Sequence, residues 1–446
     1  MRSSSKRRRV VACAIVAFAI AAVVLACVDS AFPDGQFACD PRGKAECPPG
    51  LSCAADGTCR SLQVSIDDAG TDTPIVQEDV VDAATAVDAC SIATWTVLAS
   101  NRGPAALAVG ADGRLFLGGT AGDGGWLAEL DPCDGGTIRE RIFDTTTGPL
   151  PSVQDIVVTD DELVVSGVTN DTRTGLFARF AKETFVTKEE RAFDGGGGFV
   201  GFDSIARTDD GAYVLGGAKD IFAPTMAGWV ARVDGTTACT TTSGNGIAGV
   251  FPAGGDKAAI FGGVSDNSRI ELRTIGVGCA LGVIQSAPFP AAAQGGPSSM
   301  AGTLATPIAV GAYGPTLDAG GRDWGLVASI TGTTLTIAPP FDPNPGRVDI
   351  VQRGVVDGDQ LYLAALQSAT LTGGTPTLLR YTLPLTPTST PTLTTGIFSG
   401  ELVAFRGMRT NPSSMVGDDA LFIAGPKPGT RSSGAITRCR KSVGCR

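Results

Sequence analysis

The chain reads as all-β, with most of its length given to repeated four-stranded sheets, and three observations lead there. The composition favours strands and turns: 60 Gly and 27 Pro but only 5 Met in 446 residues, with no long amphipathic heptads. A hairpin recurs as "ADGRLFLGG" (111–119), "TDDELVVSG" (159–167), "TDDGAYVLGG" (208–217) and "GGDKAAIFGG" (254–263). The small residue that closes it returns seven times, as Gly119, Gly167, Gly217, Gly263, Gly311, Ala365 and Gly425, at intervals of 46 to 60 residues.

The elements follow in chain order. Residues 1–26 join the basic "MRSSSKRRR" to the uncharged "VVACAIVAFAIAAVVLA", and Cys27 follows, the layout of a secretory signal. "VLAC" (24–27) resembles the lipobox of bacterial lipoproteins. The resemblance implies acylation of Cys27, a membrane contact through that lipid and, with Val28 rather than Asp next, transfer to the outer membrane or cell surface. An uncleaved signal anchor or plain secretion is the alternative.

A short tether (27–38) leads to "CDPRGKAECPPGLSCAADGTC", where Cys39, Cys47, Cys53 and Cys59 lie too close together for a hydrophobic core between them. A module over 39–60 stapled by two disulfides is expected, with zinc disfavoured because tight C-x2–4-C pairs are missing. "CPPGLSC" and "DGTC" resemble EGF-like modules. Residues 61–91, rich in Asp, Ala and Thr, read as a solvated acidic linker.

From residue 92 each repeat supplies an apolar first strand, an Asp/Gly turn and a second strand ending in small residues. A third strand follows, such as "WLAELD" (126–131), "LFARFA" (176–181) or "WVARVD" (229–234), and an outer strand often ends in Phe, as in "RIFD" (141–144) and "RAFD" (191–194). The third repeat shows no clear outer strand. Four strands per unit and seven units with a period near fifty describe a seven-bladed β-propeller over 92–446. The last unit lacks an outer strand, and "TWTVLAS" (94–100) is placed to complete it and remove an open edge. "DGRLFLGG…GWLAELD" and "DGAYVLGG…GWVARVD" resemble SBBP-type bacterial propeller repeats, and the diglycines also make the chain kelch-like. Neither resemblance implies one chemistry.

The remaining cysteines fall on hairpins that this ring makes neighbours. Cys239 is expected to pair with Cys279, while Cys90 and Cys133 pair with Cys439 and Cys445 in an order the sequence leaves open. Arg recurs at the fourth position of the third strand, as in Arg179, Arg232, Arg273 and Arg438, and reads as a structural contact.

Charge and composition exclude more function classes than they select. The net charge is −10, and removing 1–26, with its five bases and no acid, leaves 45 acids against 30 bases, or −15. That disfavours nucleic acid. The chain has no histidine, which removes His-based triads and most catalytic zinc sites. No cofactor, metal site or assignable catalytic residue emerges. Asp155, Asp203 and Asp349 begin first strands and form part of an acidic ring at the channel mouth, or cap turns. Phe222 on one loop, and Asp318, Arg322, Asp323 and Trp324 on another, offer a ligand platform, or pack on their own blades. The leading expectation is a surface-anchored protein- or glycan-binding module. A carboxylate-dependent hydrolase or lyase at the channel mouth, and a structural spacer, are the competing readings.

Overall fold

The computed structural model describes residues 52–53, 59–60, 95–99 and 101–441, apart from 123, 144–151, 170–173, 196–199, 220–226, 243–245, 264–267, 291–292, 315–323, 340–349, 371–372, 396–406, 411–419 and 427–433. The chain forms two compact units, 1–81 and 82–446. In the first, Ser52–Cys53 pairs antiparallel with Cys59–Arg60, with Cys53 opposite Cys59 in the register. The calls on Cys27, Cys39 and Cys47 lie outside the described residues.

The second unit is an all-β propeller. Six of its four-stranded sheets use strands consecutive in the chain, and a seventh combines three C-terminal strands with one from before the first sheet. The innermost strands of blades 1 to 6 are Gly103–Val109, Ser152–Val158, Val200–Arg207, Ile247–Gly254, Gln294–Gly302 and Ile350–Asp357. That of blade 7 is Gly407–Thr410. Each touches the next, and the last touches the first, so these strands close a cycle. Trp95–Ala99 pairs with Gly434–Arg440 and becomes the outer strand of blade 7. The register sets Ala99 opposite Gly434, the place where Phe143 faces Gly125 and Phe193 faces Gly175. It is therefore Ala99, and not the neighbouring Leu98, that takes the position Phe holds elsewhere.

The third repeat has an outer strand after all, Thr237–Thr242. Its sequence "TACTTT" is polar and carries no terminal Phe, the residue that marks the outer strands of blades 1 and 2.

The diglycine of blades 1, 3 and 4 follows, in blades 1 and 3, from two close approaches. A Cβ on Gly119 would lie 1.9 Å from the Gly103 carbonyl oxygen of its own blade, and one on Gly118 would lie 2.3 Å from Val153 in the next blade. Gly217 and Gly216 repeat the arrangement, against the Gly201 oxygen at 1.9 Å and Val250 at 2.5 Å. One glycine lets the first strand of its blade come close, and the other seats a side chain of the neighbouring blade. Beside this contact the first strand bulges in blades 1 to 6, at Ala105, Gln154, Asp203, Ala248, Ser298 and Gln352. A bulge re-aims side chains and frees backbone groups from the ladder. The core lies between blades: Phe116, Leu127, Val153, Leu163 and Phe180, for example, form one buried cluster from blades 1 and 2.

Candidate functional site: the ring axis and an interblade cleft

The bulged strands place a mixed set of charges around the axis. Asp155 follows the blade 2 bulge with its side chain 19% exposed. Its Oδ1 accepts from the Ile156 amide at 2.9 Å, and its Oδ2 accepts from the Ile205 amide of blade 3 at 3.1 Å. Arg409 of blade 7 reaches past blade 1, which contributes only Ala105 at its bulge, to bring Nη2 within 3.5 Å of Asp155 Oδ1. Arg353 of blade 6 donates to the carbonyl of the bulged Ser298 in blade 5, and to that of Gln352, both at 3.0 Å. Asp203 is exposed at the blade 3 bulge. Burial pushes the Asp155 carboxyl above its ordinary value, and Arg409, the two amides and Arg353 offset this only in part.

Sequence reading had placed acids here and had not included Arg353 or Arg409. With both oxygens engaged by amides and a guanidinium, Asp155 ties blades 2, 3 and 7 together. Asp349, Phe222, Asp318, Arg322 and Asp323 lie outside the described residues. Trp324 is half-buried, packs edge-on to Tyr313 with ring centroids 5.4 Å apart, and joins the core between blades 4 and 5.

The cysteine calls resolve unequally. Cys239 and Cys279 form a disulfide with Cα atoms 5.8 Å apart, joining the outer strand of blade 3 to a hairpin of blade 4. Cys133 and Cys439 are both disulfide-bonded. Cys439 packs in the cluster between blades 6 and 7, whereas Cys133 packs in the one between blades 7 and 1. Cys90 and Cys445 lie outside the described residues.

The recurrent third-strand arginines are held internally. Arg179 pairs with Glu162 at 2.7 Å and Glu189 at 3.2 Å. Arg232 pairs with Asp210 at 2.7 Å and donates to the Asp256 carbonyl of blade 4 at 2.7 Å. In blade 1 the position is Glu129, bound by Arg114 and Arg139, both at 2.6 Å. These pairs connect hairpins and do not form an exposed binding stripe.

At the pole carrying the first-to-second-strand hairpins, away from the loops that sequence reading favoured, a cleft of about 370 Å³ opens between blades 2 and 3. Its polar lining includes Asp160, Asp161, Glu162, Arg179, Arg207 and Tyr213. Sequence reading named none of these as site residues. Cross-strand pairing sets Arg207 opposite Tyr213. Tyr213 is 7% exposed, packs on Phe177 with centroids 5.7 Å apart, and its phenol has no hydrogen-bond partner among the described residues. Burial raises its pKa above the ordinary tyrosine value. Arg207 and Asp160 are exposed and make no ion pair among the described residues. Among those residues no group of three His, Cys, Asp or Glu is placed to hold a metal ion.

No protein-family model matches this chain, and no curated protein sequence matches it. Solved structures do. The chain is similar to hydrazine synthase of Kuenenia stuttgartiensis, with 13% identity over 78% of this chain and 98% of that one and a TM-score of 0.52. It is also similar to virginiamycin B lyase of Staphylococcus aureus, with 11% identity, 77% and 98% coverage and a TM-score of 0.48. The Dos1 propeller follows at 11% identity, 81% and 97% coverage and a TM-score of 0.45. At these identities the first likeness carries the fold alone.

Proposed function

We propose that the protein is a lipid-anchored β-propeller that binds a protein or glycan ligand. The observation that carries the binding half is the contrast between the axis and the cleft. The described charges at the axis are engaged with backbone and with one another. The cleft between blades 2 and 3 holds an exposed guanidinium, an exposed carboxylate and a buried phenol that meet no protein partner among the described residues. Polar groups kept near a concave surface without internal partners suit an external one. A blank result for the full chain in both a glycan array and a cross-linking capture from its own cell extract would sink this reading and leave the spacer.

The hydrolase or lyase reading rests on one observation, the half-buried Asp155 with its raised pKa. Against it, an acid or base needs a proton or lone pair facing substrate, and both Asp155 oxygens already accept amide hydrogen bonds.

The anchor half rests on the basic and apolar leader ending at Cys27. Cys27→Ser is expected to abolish acylation and release the protein from membranes on fractionation. Retention unchanged by that substitution would favour a signal anchor.

A further inference from the structure

We infer that the cleft between blades 2 and 3 is a binding site for a neutral saccharide; this rests on the binding reading above and narrows it to one place and one ligand class. The site opens at a seam whose hairpin is short, a trait that blade 5 shares around Gly332 (φ 59°). In blade 2 the third and fourth strands are joined by a long hairpin whose Phe185 (φ 55°) turns inward, is fully buried and meets Phe116 of blade 1 edge-on with centroids 6.5 Å apart. Cys279 of blade 4 (φ 58°) stands in the same place, two residues before its outer strand, and is buried against blade 3. Leu385 of blade 6 is likewise buried between blades 5 and 6. In blade 3 the hairpin shrinks to a tight turn around Gly235 (φ 52°), and a Cβ on Gly235 would touch nothing within 4 Å. Arg191 still clamps this hairpin through the carbonyls of Gly235, Thr236 and Thr237, as Arg141 clamps that of Phe185. The clamp is kept and the plug is gone.

The lining decides the ligand class. Phe177 and Val233 line it but are fully buried, so no exposed apolar wall is offered to a hydrophobic side chain. Arg179 is neutralised by Glu162 and Glu189, and Lys188 caps Glu162 at 2.9 Å. The remaining capacity is the Arg207 guanidinium as donor, the Asp160 carboxylate as acceptor and the Tyr213 phenol as both. An anion meets the acids of the lining, and a cation meets the Arg207 guanidinium, unpaired among the described residues. A hydroxyl donates and accepts, so a sugar carrying several hydroxyls satisfies all three groups without a net charge. The volume of about 370 Å³ lies at the lower end of small-molecule sites, which suits one or two sugar rings.

The test uses the full chain, purified in detergent, on an array of neutral, acidic and amino-bearing oligosaccharides. Binding to neutral members is then titrated in Tyr213→Phe, which keeps the ring, and in Arg207→Gln, whose side chain is exposed. The expected result is on the order of tenfold weaker binding in each variant. The chain has 4 Tyr, so fluorotyrosine labelling gives a countable ¹⁹F spectrum. The resonance missing in Tyr213→Phe is expected to move when the sugar is added. Neutral-sugar binding that is unchanged in both variants, with that resonance still, overturns the site and leaves the binding reading standing. Binding confined to charged glycans overturns the ligand class. A blank array with specific protein capture does the same, and a blank in both overturns the inference and the binding reading together.

Discussion

The interface between blades 1 and 2 and the one between blades 2 and 3 are built from the same repeat, yet only the first is filled. At the first, Phe185 is buried against Phe116 and a lattice of Arg114, Glu129, Arg139 and Glu183 closes the surface above it. At the second, Gly235 replaces the long hairpin and a polar cleft remains. Strand pattern fixes where blades sit, and at these two interfaces a long hairpin goes with a filled seam and a short one with an open cleft. Seams are thus places where a propeller acquires a site without disturbing its core.

The largest expected effect concerns the seam where the ring closes. Cys133 and Cys439 belong to clusters on opposite faces of blade 7, so each is expected to take a different partner across the join of the two chain ends. Cys133–Cys445 with Cys90–Cys439 is the pairing expected from non-reducing peptide mapping. A Cys90–Cys133 or Cys439–Cys445 bond breaks the interlock and leaves the propeller intact. Each long-range bond constrains the unfolded chain by roughly 5 kcal/mol in the loop-entropy model, so Cys445→Ser is expected to lower the melting temperature steeply.

Next comes the plug. Phe185→Ala empties a fully buried position between blades 1 and 2 and is expected to cost about 3–5 kcal/mol in denaturant melts. A cost below about 1 kcal/mol would mean that the hairpin collapses into the gap, and the contrast between filled and open seams would lose its basis.

The propeller was legible because its signals repeat. Seven small residues at a near-constant interval, each ending an apolar strand, mark the second strands, and the unpaired "TWTVLAS" marks the strand that now completes blade 7. Where a unit departs from the apolar pattern, as "TACTTT" does, its strand disappears from view and is set only by pairing with Ala227–Asp234. The Cys239–Cys279 bond was legible because equivalent hairpins of adjacent blades become neighbours once the ring is drawn. The axis was half legible. Asp155 stands out before an apolar run, but Arg409 comes from the far end of the chain and no local spacing joins them. The cleft was illegible as chemistry, since Arg207 and Tyr213 look like ordinary strand ends. Its one signal was the short "VDGTTA" set against the longer "FAKETFVT" of the unit before, a difference in hairpin length.

A smaller effect tests the axis through pH. The folded-state pKa of Asp155 is raised by burial, so its ionised form is the disfavoured one in the native protein. The destabilising contribution is fully present above that raised folded value and is relieved as pH falls through it toward the unfolded one. Asp155→Asn carries no such titration. As pH is lowered from neutrality into the acid range, wild type is expected to gain stability relative to Asp155→Asn, read as a narrowing or reversal of the difference in melting temperature. A difference that widens in favour of the variant would mean that Arg409 and the amides outweigh burial and that the carboxylate is held below its ordinary value.

The smallest effect separates the two buried phenols. Tyr381 is 1% exposed, its hydroxyl has no partner among the described residues, and burial pushes its pKa up to about 12. Tyr213 is also buried and unpartnered, but it lines the cleft. A sealed hydroxyl without a partner pays its full desolvation, so Tyr381→Phe is expected to leave stability unchanged or raise it by up to about 1 kcal/mol. The Tyr213 phenol lines a cleft open to solvent, so Tyr213→Phe is expected to change stability by less than about 0.5 kcal/mol. Equilibrium unfolding of the two variants side by side gives the comparison. A loss above about 1 kcal/mol in Tyr213→Phe would show that the phenol is bonded within the protein, and the cleft would then present only Arg207 and Asp160 to a ligand.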